Sequence, residues 1–243
     1  MPYHVPEGAV LGLFAKRPDP GRVKTRLIPA LGAERAARLA EWMILDAADA
    51  WDGGGAGRRV IVFDPEDAGP WFDDHVPASF ALCSQGTGDL GVRLARFFGD
   101  EFDDGATRVV VIGCDSPTLD PAFVASAFLL LEYKDLVLGP ATDGGYYLIG
   151  SRPPLIPSLF EGVAWGTSDV LAQTVARIEA SGRTLAVLPP WYDVDTPDDL
   201  RMLAGHLAAR RLAGHDAPIT RVERLLIGPD RSAHGPSPSG QPV

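Results

Sequence analysis

The stretch "AVLGLFAKRPDPGRVKTRLIPALG", residues 9–32, sets the architecture. Its first seven residues are an unbroken apolar run of strand length. Such a run suits a strand buried on both faces, as in a parallel sheet. The run then gives way to a Gly/Pro-punctuated loop carrying Lys16, Arg17, Arg22, Lys24 and Arg26. The 243-residue chain has three lysines and nineteen arginines, and its formal net charge is −10. Two of the three lysines therefore lie in one loop of an acidic protein. The overall charge argues against nucleic acid or an anionic membrane as the main partner, so the positive charge that matters is local.

Outward from this stretch, strands and helices alternate. Helical spacing of Ala, Leu, Ile and Trp runs from Ala33 to Trp51 and stops at "GGGAG". "RRVIVFD" (58–64) reads as a second strand. A Pro/Asp-rich segment leads to "QGTGDLGVRLARFFGDEF" (85–102), whose later half is helical in pattern. "RVVVIG" (108–113) is a third strand. A loop follows, and then a helix to about Tyr133, with Asp120 as N-cap and Pro121 at its first position. "DLVLGPA" (135–141) and "GGYYLIG" (144–150) read as strands joined by an Asp-Gly type turn. "TSDVLAQTVARIEASG" (167–182) reads as a helix opening on a capping pattern, and "RTLAVLP" (183–189) as a strand. Residues 198–214 form a last long helix, with a short one expected over 219–226. The tail at 228–243 lacks apolar content and is expected to be disordered. The pattern predicts one α/β domain over residues 1–227, with a mostly parallel sheet covered by helices on both faces.

Apolar content of 46% and charged content of 22% are ordinary for a globular protein. The two cysteines, Cys83 and Cys114, form no CxxC and are expected to be small buried hydrophobes. No run is long enough for a membrane span. "MPYHVPEGAV" has no basic segment followed by an apolar one, so no signal peptide is read and a cytoplasmic location is expected.

Ligands of open α/β sheets bind beyond the carboxyl ends of the strands, and each polar motif here follows a predicted strand. "AKRPDPGRVKTRL" has cations able to wrap a triphosphate, though this loop itself matches neither GxxxxGK[ST] nor GxGxxG; a solvated basic loop is the other reading. In "GCDSPTLD", Asp115 follows the strand directly and is sited to hold Mg²⁺, while Asp120 caps the next helix. In "GPATDGGYYLIG", Gly144 and Gly145 allow close backbone approach and Asp143 could hold substrate or a metal-bound water. Tyr146 and Tyr147 point to opposite faces, so at most one is expected to face a pocket. In "WYDVDTPDDL", Asp193 and Asp195 alternate in an extended segment and can share one face. Two carboxylates so close call for a cation. Asp198 and Asp199 instead complement the helix dipole, and Thr196 is the expected N-cap. "SQGTGDLGVRL" offers Gln85, Gly88, Asp89 and Arg93 to a base or ribose, or else is a glycine loop with a helix cap. "WGTSDV" offers Thr167 and Ser168 at a helix start, as anion ligands, as an N-cap, or both.

Over about residues 9–203 these motifs, in this order, resemble the nucleotide-diphospho-sugar transferase (GT-A) superfamily. They resemble in particular the bacterial GT-A-like proteins labelled radical-SAM/selenodomain-associated transferases. The chain is also similar to molybdenum-cofactor nucleotidyltransferases and to phospholactate or phosphoenolpyruvate guanylyltransferases. The resemblance implies phosphate contacts from Lys24 and Arg17, divalent metal (Mg²⁺ or Mn²⁺) on Asp115, Asp193 and Asp195, and an acceptor pocket at Gly145, Thr167 and Ser168. Two departures stand out. The LxxGxGxR start of many nucleotidyltransferases is replaced by "FAKRPDPGRVKTR", and "CDS" stands where glycosyltransferases carry DxD.

The function expected is Mg²⁺-dependent nucleotidyl transfer from a nucleoside triphosphate to a small phosphorylated or carboxylate acceptor. Lys24 and Asp115 would be its catalytic pair. Glycosyl transfer from a nucleotide-sugar and a non-catalytic nucleotide-binding module are the alternatives.

Overall fold

A computed structural model describes residues 4–52, 57–156, 158–214 and 220–227. The expected disorder of 228–243 and most of the "GGGAG" stop lie outside the described residues. The chain runs β1 (Ala9–Lys16), a 3₁₀ turn (Thr25–Leu27), α1 (Ile28–Leu31), α2 (Ala33–Ala50), β2 (Arg58–Asp64), a second 3₁₀ turn (Glu66–Ala68) and α3 (Gly69–His75). It continues through β3 (Ala81–Ser84), α4 (Leu90–Asp103), β4 (Arg108–Gly113), α5 (Pro121–Leu130), β5 (Leu136–Pro140) and β6 (Tyr146–Ser151). It ends with α6 (Val170–Ala180), β7 (Leu185–Val187), α7 (Pro197–Leu212) and α8 (Arg221–Ile227).

The strands form one sheet in the order β3-β2-β1-β4-β6-β5-β7. All pairings are parallel except those of β6, which runs antiparallel to β4 and β5. The start of β6 therefore lies at the same edge as the carboxyl ends of β1 and β4. This is the α/β architecture read from the alternation of strands and helices.

β1 explains itself residue by residue. Leu11, Leu13 and Ala15 join the core on one face, with Ile44 of α2 and Phe128 of α5. Val10 and Phe14 join the other, with Phe97 of α4. Gly12 is required there, because a Cβ would sit 2.5 Å from the Phe97 ring. A third cluster unites Leu27, Leu39, Met43, Val194, Leu203 and Val222. It fastens the end of the basic loop, and the segment between Asp193 and Asp195, to α2, α7 and α8.

Capping follows expectation at α5, where Asp120 accepts from Ala122 N at 2.8 Å, and at α7, where Thr196 and Asp199 form a capping box. At α6 it differs. The N-cap position is Asp169, without a side-chain cap bond; Thr167 Oγ1 donates to Ala164 O at 2.7 Å and accepts from Asp169 N at 3.3 Å. The Pro/Asp-rich segment holds two elements the pattern does not announce, α3 and the edge strand β3. Cys114 is buried, but Cys83 is only half-buried, because it lies on that edge strand. Among the described residues no helix is long and apolar enough to cross a membrane.

Candidate active site

The basic loop after β1 reverses direction at Lys24. Lys24 has φ +46° and is the one non-glycine residue with positive φ among the described residues. That left-handed backbone starts the 3₁₀ turn whose Leu27 is buried in the third cluster. It also turns the Lys24 side chain inward, where 5% of it is exposed. Its Nζ donates to Asp115 Oδ1, just past β4, and to Asp195 Oδ1 at 2.9 Å, just before α7. Arg26 donates to the second oxygen of Asp195 at 3.1 Å.

Burial works against the charge of Lys24, but Asp115 and Asp195 overcome it and raise the ammonium above its ordinary value. Burial likewise opposes ionisation of Asp195, yet Lys24 and Arg26 hold its carboxyl below the usual range. Asp193 has the opposite environment. Burial, reinforced by the charges of Asp115 and Asp143, pushes its carboxyl up to about 6 against the pull of Ser116 and Lys24. Ser116 Oγ donates to Asp193 Oδ1, and Val194 N donates to Asp115 O at 2.9 Å. These contacts join the loop after β4 to the loop before α7. Val194, fully buried, anchors the acidic pair from behind.

These side chains border a cavity of about 460 Å³ at the carboxyl edge of the sheet. Lys16, Arg22, Lys24, Gln85, Asp115, Asp193 and Asp195 line it, with Phe14, Leu90 and Leu94 as an apolar wall. Tyr146 and Tyr147 lie on opposite faces of β6, as expected, but both line the cavity, because it wraps around the sheet edge. The expectation of at most one is corrected.

The remaining residues singled out in the sequence lie around this centre. Arg17 pairs with Asp19 at 3.0 Å and Asp67 at 3.4 Å and is not among the lining residues. Gln85 is spanned internally: its amide donates to Val62 O at 2.9 Å and its carbonyl accepts from Arg93 at 2.9 Å. Arg93 also bonds Gly88 O at 3.0 Å and pairs with Asp64 at 3.1 Å. Asp89 caps α4 through Val92 N at 2.9 Å. Asp143 accepts from Gly145 N at 2.9 Å and its charge faces Asp193. Gly144 packs on the backbone of Ser168, so close that a Cβ would meet Ser168 O at 2.3 Å. Thr167 and Ser168 thus sit behind the 141–145 turn. The sequence reading passed over Ser116. Its only signal was its place beside Asp115.

Asp115, Asp193 and Asp195 offer hard carboxylate oxygens, the donor type that suits a magnesium-like ion sharing its shell with phosphate. The residues fit such an ion by chemistry. Their arrangement differs from a ready-made cage: among the described residues no three metal-ligating side chains converge on one point, and the Lys24 ammonium stands between Asp115 and Asp195.

A twisted, mostly parallel sheet with acids and cations gathered at its carboxyl edge defines a GT-A-like fold of the nucleotide-diphospho-sugar transferase and nucleotidyltransferase superfamily. The chain belongs to the family of the 3-phospho-D-glycerate guanylyltransferase of Phenylobacterium zucineum (strain HLK1). The two are 31% identical over 203 residues, 78% of this chain and 88% of the relative. Residues 48–167 match the family model described as "Uncharacterized protein conserved in bacteria (DUF2064)". A crystal structure of a Desulfovibrio desulfuricans G20 protein, described as a nucleotide-diphospho-sugar transferase, is 32% identical. It superposes with a TM-score of 0.83, covering 91% of this chain and 94% of that one. The 4-diphosphocytidyl-2C-methyl-D-erythritol synthase of Anaerococcus prevotii DSM 20548 shares the fold, with a TM-score of 0.52 at 11% identity over 83% of this chain and all of that one.

Proposed function

We propose that the protein is a nucleotidyltransferase that joins a nucleoside triphosphate, GTP by analogy with its guanylyltransferase relative, to a small phosphorylated or carboxylate acceptor. The observation that carries this reading is the pairing of Lys24 with Asp115 and Asp195 at the mouth of the cavity. A buried cation beside two acids supports a site for a polyphosphate and its counter-ion. An acceptor oxygen attacks the α-phosphorus, a new P–O bond forms, and the bond to the bridging oxygen breaks. The electron pair leaves with pyrophosphate.

In this reading Lys24, Lys16 and Arg22 bind phosphate oxygens and fix the chain in line for attack. Asp115, Asp193 and Asp195 would hold a divalent ion such as Mg²⁺, which when bound neutralises phosphate charge. Lys24 then exchanges a carboxylate for a phosphate partner and keeps its charge throughout. Phe14, Leu90 and Leu94 give the cavity an apolar side. Asp143, Gly145, Thr167 and Ser168 are assigned to the acceptor side, and Gln85, Gly88, Asp89 and Arg93 to the framing of the nucleoside side.

The likeness to a protein described as a nucleotide-diphospho-sugar transferase supports glycosyl transfer as a second reading. One experiment separates the two. The protein is incubated with Mg²⁺ and 3-phospho-D-glycerate or phospholactate plus each NTP, or with UDP- and GDP-sugars, and the products are resolved. Pyrophosphate with a new guanylylated acceptor supports the proposal. Nucleoside diphosphate release transfers the assignment to glycosyl transfer. Tight nucleotide binding without either product indicates a non-catalytic module.

A further inference from the structure

The two acid-bearing loops are also joined at a second level, behind the cavity. Thr118, three residues beyond Asp115 and 4% exposed, donates through Oγ1 to the hydroxyl of Tyr192 at 2.9 Å. Tyr192 directly precedes Asp193. Its hydroxyl lies 2.8 Å from Nδ1 of His206 on α7. With Thr118 donating into the phenol oxygen, the phenol proton is left for Nδ1, an arrangement that takes the neutral imidazole with its hydrogen on Nε2. Burial, with help from the charge of Arg210, lowers the His206 pKa and favours that neutral form. The Trp191 ring stacks on Tyr192 at 6.0 Å and 22°, and stands edge-on to Phe123 of α5 at 5.4 Å. Tyr192 is absent from the lining of the cavity.

We propose that Tyr192, locked between Thr118 and His206, is a positioning residue that sets the spacing of Asp115 and Asp193. At the front, Lys24 ties Asp115 to Asp195, but among the described residues no cation bridges Asp115 to Asp193 by a salt bridge. Ser116 and Asp193 are joined by one bond to a rotatable hydroxyl, and Val194 N to Asp115 O by one backbone bond. The phenol adds a strut: the Thr118 hydroxyl proton and the Tyr192 hydroxyl proton each have one acceptor, and a hydrogen-bonded chain of this kind, buried at its Thr118 end, favours one geometry. Its anchor is α7, the helix whose N-terminus the acidic segment feeds, so the acids are referenced to a regular element. The inference rests on Asp115 and Asp193 acting together on a nucleotide, as proposed above.

The test uses the full-length protein with Tyr192→Phe, Thr118→Val, His206→Leu and His206→Asn. The asparagine carbonyl takes the place of Nδ1 as acceptor. The substrate-free readout is amide hydrogen exchange over residues 115–119 and 191–195. About tenfold faster exchange is expected in Tyr192→Phe, Thr118→Val and His206→Leu, with recovery in His206→Asn. In turnover of GTP with acceptor, kcat is expected to fall about tenfold in the same three while KM for GTP moves less than twofold. Thr118→Val keeps the side-chain shape, so it decides the matter if Tyr192→Phe folds poorly. Unchanged exchange in both loops for the variants, or a His206→Asn variant no better than His206→Leu, overturns the proposal. If the wild type turns over no nucleotide, the nucleotidyl reading falls, and the exchange data alone decide the strut.

Discussion

Lys24 Nζ lies 2.9 Å from Asp195 Oδ1, so the loop after β1 is fastened to the segment that opens α7. The same ammonium reaches Asp115 beyond the central strand β4. Three segments remote in sequence thereby meet on one cation. Coulombic attraction between partly buried groups provides the closure, and Leu27 and Val194 in one apolar cluster hold the two ends in place.

Replacing Lys24 with alanine removes this cation. GTP affinity in the presence of Mg²⁺ is expected to fall about 10- to 100-fold, the equivalent of ~1.5–3 kcal/mol for a charge-assisted hydrogen bond. Isothermal titration measures it, and an unchanged dissociation constant would remove Lys24 from the nucleotide site.

The left-handed backbone at Lys24 separates charge from conformation. Lys24→Gly and Lys24→Ala lose the ammonium equally, but only alanine retains the φ penalty. Glycine is expected to be more stable by about 1 kcal/mol in urea unfolding, with equal loss of nucleotide binding. Equal stability of the pair would show that the backbone relaxes at no cost.

Gly144 has φ +93° and its Cα abuts the Ser168 backbone. Gly144→Ala is expected to cost 2 kcal/mol or more, roughly the sum of a left-handed penalty and overpacking. Gly99, on α4 with open space around it, is the control: Gly99→Ala is expected to stabilise by about 0.5–1 kcal/mol. Thermal melts of the two variants should move in opposite directions.

Asp135 gives the clearest pH dependence. It accepts from Thr184 N at 2.9 Å and Thr184 Oγ1 at 2.7 Å, and from Arg152 and Arg183. The Thr184 bonds, followed by the two arginines, hold its carboxyl well below the usual range. A folded-state value below the unfolded one means that the unfolded chain takes up the proton first. The stabilisation is therefore complete above the unfolded pKa of about 4 and is lost as pH falls toward the folded value. Asp135→Asn is expected to cost about 1–2 kcal/mol at pH 7, less at pH 3, as judged by urea midpoints at both. A constant difference between the two pH values would contradict the assignment.

Burial pushes the Cys114 thiol up to about 12, so almost none of it is thiolate at pH 8. Iodoacetamide is expected to leave Cys114 unlabelled in the native protein and to label it fully in guanidinium. Rapid native labelling at Cys114, read by mass spectrometry, would mean that the cavity it lines opens readily to the reagent.

How much of this was legible in the sequence follows from where each signal resides. β1, β2 and β4 are central, covered on both sides, and their apolar runs say so. β3 is a four-residue edge strand with only half-buried side chains, so "ALCS" carries no comparable pattern. α3 starts at Gly69-Pro70 and is held chiefly by Phe72, too short for periodicity to show. Among the site residues, Asp115, Asp193 and Asp195 were legible because charged residues at strand ends require a reason. The seat of Lys24 between Asp115 and Asp195 was not, since 91 and 171 residues separate the partners. The Thr118–Tyr192–His206 chain has no spacing rule at all. It exists only once α7 has packed.

The reversal of β6 has a consequence for diversification. Because that strand begins at the edge that bears the cavity, the connection entering it, residues 141–145, is a short hairpin that closes on the Pro140–Tyr146 pair, beyond a register shift at Gly139/Pro140. A longer segment grafted there would reach over the opening without disturbing strand order. Variation at this edge can be concentrated in one hairpin, on the condition that its Gly144 still fits against the Ser168 backbone.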